Sequence, residues 1–165
     1  MSIPEGTLYQ DGILSAGRIA EHHPAEYITT KIAEGVIPFG RAVVKGTGDN
    51  DAVLPSAADD VLLGVAGFST EAGDIDNEQY SDNDPVAVVE TGIVVVYVEE
   101  AVSIGDPVRI RHAAATGKVP GSFAVTAEAA KTALVSNAQW KSETTGAGLA
   151  QLYINGPFSL TADVA

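Results

Sequence analysis

The 165-residue chain carries 22 acidic against 9 basic side chains, a formal charge of −13, and no cysteine. A chain of this length buries roughly 70% of its extended surface, enough for one core with an appendage. The charge excludes a nucleic-acid partner, which needs clustered Lys and Arg, and argues against an anionic membrane; the missing thiols exclude disulfides, a cysteine nucleophile and Cys-ligated metals.

Residues 1–10 lack the basic and apolar regions of a secretory signal, and no run approaches the 18 apolar residues of a membrane span. A soluble protein made in a cytoplasm is expected, and a thiol-free chain suits a later life outside the cell. Pro4, Gly6, Gly12, Gly17 and Pro24 break any period over residues 1–26. This segment reads as an extended arm, with a reach of about 80 Å at about 3.3 Å per residue. Ile3, Leu8, Tyr9, Ile13, Leu14 and Ile19 recur through it, too apolar for a disordered tail, so the arm needs a surface to lie on.

From Tyr27 the character is β. Residues 28–30 are β-branched, and residues 37–46 predict a kinked strand with Pro38 at an edge or a strand start. Residues 61–68, with Gly64 and Gly67 inside, predict a strand that is bent or closely approached by another backbone. Residues 71–84 form an acidic loop. Residues 85–90 and 92–98 read as consecutive strands joined near Thr91-Gly92. A turn at Gly105-Asp106 precedes a strand in which Val108 and Ile110 alternate with Arg109 and Arg111, one face dry and one wet. Residues 126–135, rich in Ala and Glu with Thr126 as N-cap, are the one predicted helix; a loop with a short helical turn is the alternative. Residues 148–154 are a last strand, and the stretch from 158 to 165 is a tail. Short strands with Gly-rich turns predict a small β-sandwich or barrel over residues 27–157.

Candidate chemistry is sparse. Glu71, Asp74, Asp76, Glu78, Asp82 and Asp84 lack the EF-hand pattern, since Gln79 and Pro85 stand where Gly and Glu are needed, so the loop reads as solvated surface. The neighbours His22 and His23 point apart in an extended chain and cannot chelate one ion together; only His112 could join them. No G-x-S-x-G elbow is present, Asp49 and Asp51 follow Gly46-Thr47-Gly48 and repel phosphate, and Glu99-Glu100 reads as surface. No enzyme, cofactor or metal is expected. Trp140 is either an exposed anchor or a buried strand residue, and Arg41 and Arg109 are candidate ion-pair partners.

Ile37-Pro38-Phe39-Gly40-Arg41-Ala42-Val43-Val44, Gly64-Val65-Ala66, Val86-Ala87-Val88-Val89, Thr91-Gly92-Ile93-Val94-Val95-Val96, Gly105-Asp106-Pro107-Val108 and Gly148-Leu149-Ala150-Gln151-Leu152 occur in that order. With Gly17-Arg18-Ile19-Ala20 upstream, the series resembles the structural cement (capsid decoration) proteins of tailed bacteriophages. The resemblance implies a β-tulip-like body, a homotrimer seated on the capsid exterior, and an arm reaching over neighbouring major capsid protein subunits. The arm residues named above would grip the coat. Pro38, Gly40, Arg41, Gly105, Asp106 and Pro107 would shape subunit contacts. The competing expectation is a virion-displayed module that binds a host surface or glycan, using Trp140 and Tyr80; a small hydrolase would need His22, His23, His112 and the acidic loop to converge.

Overall fold

The computed structural model describes residues 15–21, 26–71 and 74–164. These form β1 (Ile19–Glu21), β2 (Tyr27–Ala33), β3 (Ile37–Pro38), β4 (Ala42–Lys45), β5 (Asp51–Val53), β6 (Leu62–Ala66) and β7 (Gln79–Tyr80). There follow β8 (Pro85–Val98), β9 (Arg109–Arg111), β10 (Phe123–Ala124), β11 (Thr132–Val135), β12 (Ala138–Trp140), β13 (Gly148–Asn155) and β14 (Leu160–Ala162). The protein is mainly β, built on a closed five-stranded barrel with extra strands, and no helix occurs among the described residues.

The spine is β8, a single 14-residue strand where two were expected. It is β-branched along most of its length and covered on both faces, so its apolar run is continuous and does not alternate. Val86 and Val88 enter one core, whereas Val89, Val94, Val96 and Val98 enter the other. Residues 89 and 94 differ in parity, so the pleat slips by one residue between them. Gly92, at φ +144°, lies in that interval and carries no Cβ to oppose it. The dipeptide that looked like a turn is an irregularity inside one strand.

The first half of β8 pairs with β2 and β6, and a circuit closes through β4 and β5. Every strand of this ring contributes to one core (Ala33, Ala52, Val43, Ala66, Val86), which Ile37, Phe39 and Tyr80 plug. Phe39 packs edge-on to both Phe68 and Tyr80. A Cβ on Gly64 would overlap the Val89 carbonyl oxygen, so the expected close backbone approach is present in β6.

The second half of β8 pairs along its full length with β13. From there a second circuit runs through β12, β11, β9 and β10 back to β8, with β11 and β12 acting as one strand bent at residues 136–137. Its core holds Val94, Val96, Ile110, Phe123, Trp140 and Leu152. The expected helix over 126–135 is absent: residues 126–128 are irregular, residues 129–131 form a turn, and Thr132–Val135 is β11, hydrogen-bonded to β9 and β14. Ala130 adopts φ 59°, which ends any helical turn, and two neighbouring strands offer Thr132–Val135 more hydrogen bonds and burial than Ala-rich propensity can match. The tail contributes β14 to the edge of the sheet.

Candidate functional site

The described part of the expected arm begins at Ser15, and this root is stitched to the spine. Ile3, Leu8, Tyr9, Ile13 and Leu14 lie outside the described residues. Gly17 N–H donates to the Val95 carbonyl at 2.8 Å, and the Gly17 carbonyl accepts from Phe68 N–H at 2.9 Å. Between those two strands a Cβ on Gly17 would stand 2.6 Å from Phe68 N, and φ is +76°. Only glycine fits there without displacing backbone. Val95 N–H donates in turn to the Arg18 carbonyl at 2.8 Å, the Arg18 guanidinium lies 4.1 Å over the Phe68 ring, and Ile19 packs on the larger core.

Three of the expected contact residues gather beneath this root. Gly40 (φ +74°) donates to Ala66 O at 2.8 Å and accepts from Tyr97 N–H at 3.2 Å; its missing Cβ would touch Ala16 at 2.9 Å. Pro38, in the small sheet of β3 and β7, and Arg41 line a shallow cavity of about 320 Å³ together with Ser15, Tyr97 and Leu149. Arg41 takes an aromatic face and a hydroxyl in place of a carboxylate: its guanidinium sits 4.2 Å over Tyr97 and donates to Ser122 Oγ, and burial lowers its pKa. Arg109 does form the expected ion pair, with Asp163 at 3.1 Å.

Gly105, Asp106 and Pro107 lie apart, on the rim of the second circuit. Asp106 accepts from Ser103 N–H at 2.8 Å, Gly105 faces open space, and the neighbouring Ile104 is 64% exposed. Between this turn and residues 138–141 runs a groove of about 490 Å³.

The acidic loop uses its carboxylates on neighbouring backbone and side-chain donors. Asp82 accepts from Gly35 N–H, Asp84 from Ser81 N–H, and Asp74 from Asn77, whose bonds hold that carboxyl below its usual range. Among the described residues no three His, Asp or Glu converge as a metal site. Trp140 is 2% exposed and Tyr80 fully buried, so neither aromatic offers the face a sugar would stack on. His22 and His23 lie outside the described residues, and His112 is buried with neither ring nitrogen hydrogen-bonded.

One feature of this face runs against the expected wet side of β9. Arg111 is fully buried, gripped by Glu99 at 2.6 Å and Glu128 at 2.7 Å, with Lys118 bonded to Glu128 and 3.6 Å from Glu99. Hydrogen bonds from Arg111 and Lys118 hold the Glu128 carboxyl at about 2, and hydrogen bonds to Glu99 first and Glu128 second raise the pKa of Arg111 against the effect of burial. The Glu99-Glu100 doublet, which read as surface, therefore does two separate jobs: Glu99 neutralises the buried Arg111, and the half-buried Glu100 accepts from Val125 N–H, Thr126 N–H and the Thr126 hydroxyl. The visible signal was two arginines spaced by two in a strongly acidic chain. Their partners, 12 and 17 residues away from Arg111, were not readable locally.

Fold and site together define a β-barrel protein whose residues 15–19 are stitched to its spine strand. The chain belongs to the structural cement protein family (E217 gp24/Pam3 gp6), whose family model matches residues 6–155. It is thus a bacteriophage structural protein associated with the capsid. A solved chain from "The capsid of Myoviridae Phage XM1" shares the fold at TM-score 0.72 and 19% identity, over 94% of this chain and 98% of that one. No curated protein matches.

Proposed function

We propose that this protein decorates the outside of a phage head as a homotrimer and stabilises it by bridging neighbouring major capsid protein subunits, with no bond-making chemistry of its own. The observation that carries the reading is the family match, which takes in both arm and body, from residue 6 to residue 155. A shell under internal pressure fails where adjacent subunits part. A molecule bound across that joint adds contacts that must also break, and many copies, each anchored at more than one point, sum by effective concentration. The arm root suits this load. Tension on residues 1–14 would be passed through Gly17 and Arg18 directly into β8, the strand that both circuits share. The arm's apolar residues would meet the coat by strand addition or pocket filling, and Pro38, Gly40, Arg41 and residues 105–107 would shape contacts between copies. The net charge of −13 keeps free copies apart before they dock.

Deleting residues 1–14 tests the arm, since it spares the stitched root. Binding to heads that lack the protein should fall sharply while the circular dichroism and melting of the body stay unchanged. Undiminished binding by a folded truncation would overturn the arm's assignment. Sedimentation of the free and head-bound protein tests the trimer.

A further inference from the structure

The strand that completes the second circuit is the shortest in it. β10 has two residues, meets β8 in parallel at one position, Phe123 opposite Val98, and meets β9 at two. So few ladder bonds cannot hold a barrel wall by themselves, and parallel pairing is the weaker kind. Both loops flanking β10 are instead fastened by charge to the end of β8. On one side, Lys118 reaches Glu128 and Glu99. On the other, Glu128 bonds Arg111, and Glu100 caps Val125 and Thr126. Arg111, at the centre, has a fully buried side chain, while Glu99 is 3% and Glu128 25% exposed.

We propose that β10 is an acid-opened seam: protonating the carboxylates that staple its flanking loops releases β10 from β8 and β9 while the ring of β2, β4, β5, β6 and β8 stays folded. Three carboxylates and three cations make up the cluster. Glu99, Glu100 and Glu128 face Arg111, Lys118 and, beyond Glu99, Arg41. Arg109 and Asp163 pair on the same face of β9, and Lys131 meets the cluster through its backbone, its N–H donating to the Glu128 carbonyl and its carbonyl accepting from His112 N–H. The buried imidazole of His112 follows Arg111 directly. Burial pushes the Glu100 carboxyl up, but hydrogen bonds from Thr126 and Val125 outweigh it, and its pKa is lowered, as is that of Glu128. Both groups therefore stabilise the closed seam fully above the ordinary carboxylate range and lose hold as pH falls through their lowered values. Protonating Glu128 removes one of the two counter-charges on the buried Arg111 guanidinium and leaves it to Glu99 alone, which weakens the staple, so opening is favoured. The other ring contains no such buried ion cluster among its described residues; its core is apolar.

The chain carries its own reporter. Its single tryptophan, Trp140, packs edge-on against Phe123 of β10, ring centroids 6.5 Å apart. Amide exchange of the full-length protein, expressed as protection factors, should show Gly121, Glu99 and Arg111 losing about tenfold between neutral pH and about pH 3, while Lys45, Ala66 and Gly67 hold. Trp140 emission should shift red over the same range before far-UV ellipticity changes. Glu128→Gln should bring a loss of similar size at neutral pH and flatten the acid response, and the milder Glu100→Gln should do so in part. A single midpoint for both amide sets, or wild-type acid profiles in both variants, would overturn the seam.

Discussion

The arm root and the β10 seam are both short segments laid against β8, fastened by opposite means. The root is held by backbone hydrogen bonds at 2.8–2.9 Å and by the absence of a side chain at Gly17. The seam is held by carboxylates and cations. A backbone stitch has no titratable group and is indifferent to acid. A charge staple is strong only while its carboxylates are ionised. One molecule thus pairs a permanent anchor, where load from the arm would enter, with a conditional closure elsewhere on the same strand.

The contrast breaks most sharply at Glu99. Glu99→Ala leaves Arg111 buried without its nearest counter-charge and should cost about 3–5 kcal/mol in urea unfolding at neutral pH. On the other side, Gly17→Ala adds a Cβ against Phe68 N at a positive φ, and a loss of about 2–4 kcal/mol is expected. That loss should be the same at pH 7 and pH 4, because no ionisable group is involved; a pH-dependent loss would erase the distinction between the two fastenings. Glu128→Gln should cost about 1–3 kcal/mol at neutral pH. Its effect has a sign: the Glu128 carboxyl sits at about 2 in the folded protein against an ordinary 4.5. The unfolded chain therefore binds more protons in between, the wild-type advantage is complete above about 4.5, and it vanishes as pH falls toward about 2. Parallel urea titrations of both proteins down that range check it. The smallest effect is at His112, where two buried nitrogens lack partners; His112→Leu should raise stability by up to about 1 kcal/mol, read as a higher melting temperature.

Much of the fold was legible. The β-branched runs of residues 85–90 and 92–98 announced strands, and the glycines inside 61–68 announced a bend or a close backbone approach, because both signals are local. The misreadings share a cause. Thr91-Gly92 has turn composition, yet pairing on either side of β8 carries the chain straight through it. Residues 126–135 favour a helix by composition, yet the edges of β9 and β14 claim the last four of them. For the candidate contacts, Pro38, Gly40 and Arg41 converge beneath the arm root, while Gly105, Asp106 and Pro107 stand on another rim; nothing in their spacing along the chain separates those two groups.

By itself the order of residues determined the β class, the acid excess and the crowded glycines of residues 61–68, since each depends on composition or on what neighbouring residues can do sterically. Tertiary structure alone decided that Arg111 is buried, that Glu99 and Glu100 act apart, and that Trp140 faces a core. A charge is tolerable in the interior only when a counter-charge from elsewhere in the chain is delivered to it, and that delivery is settled when distant strands pair.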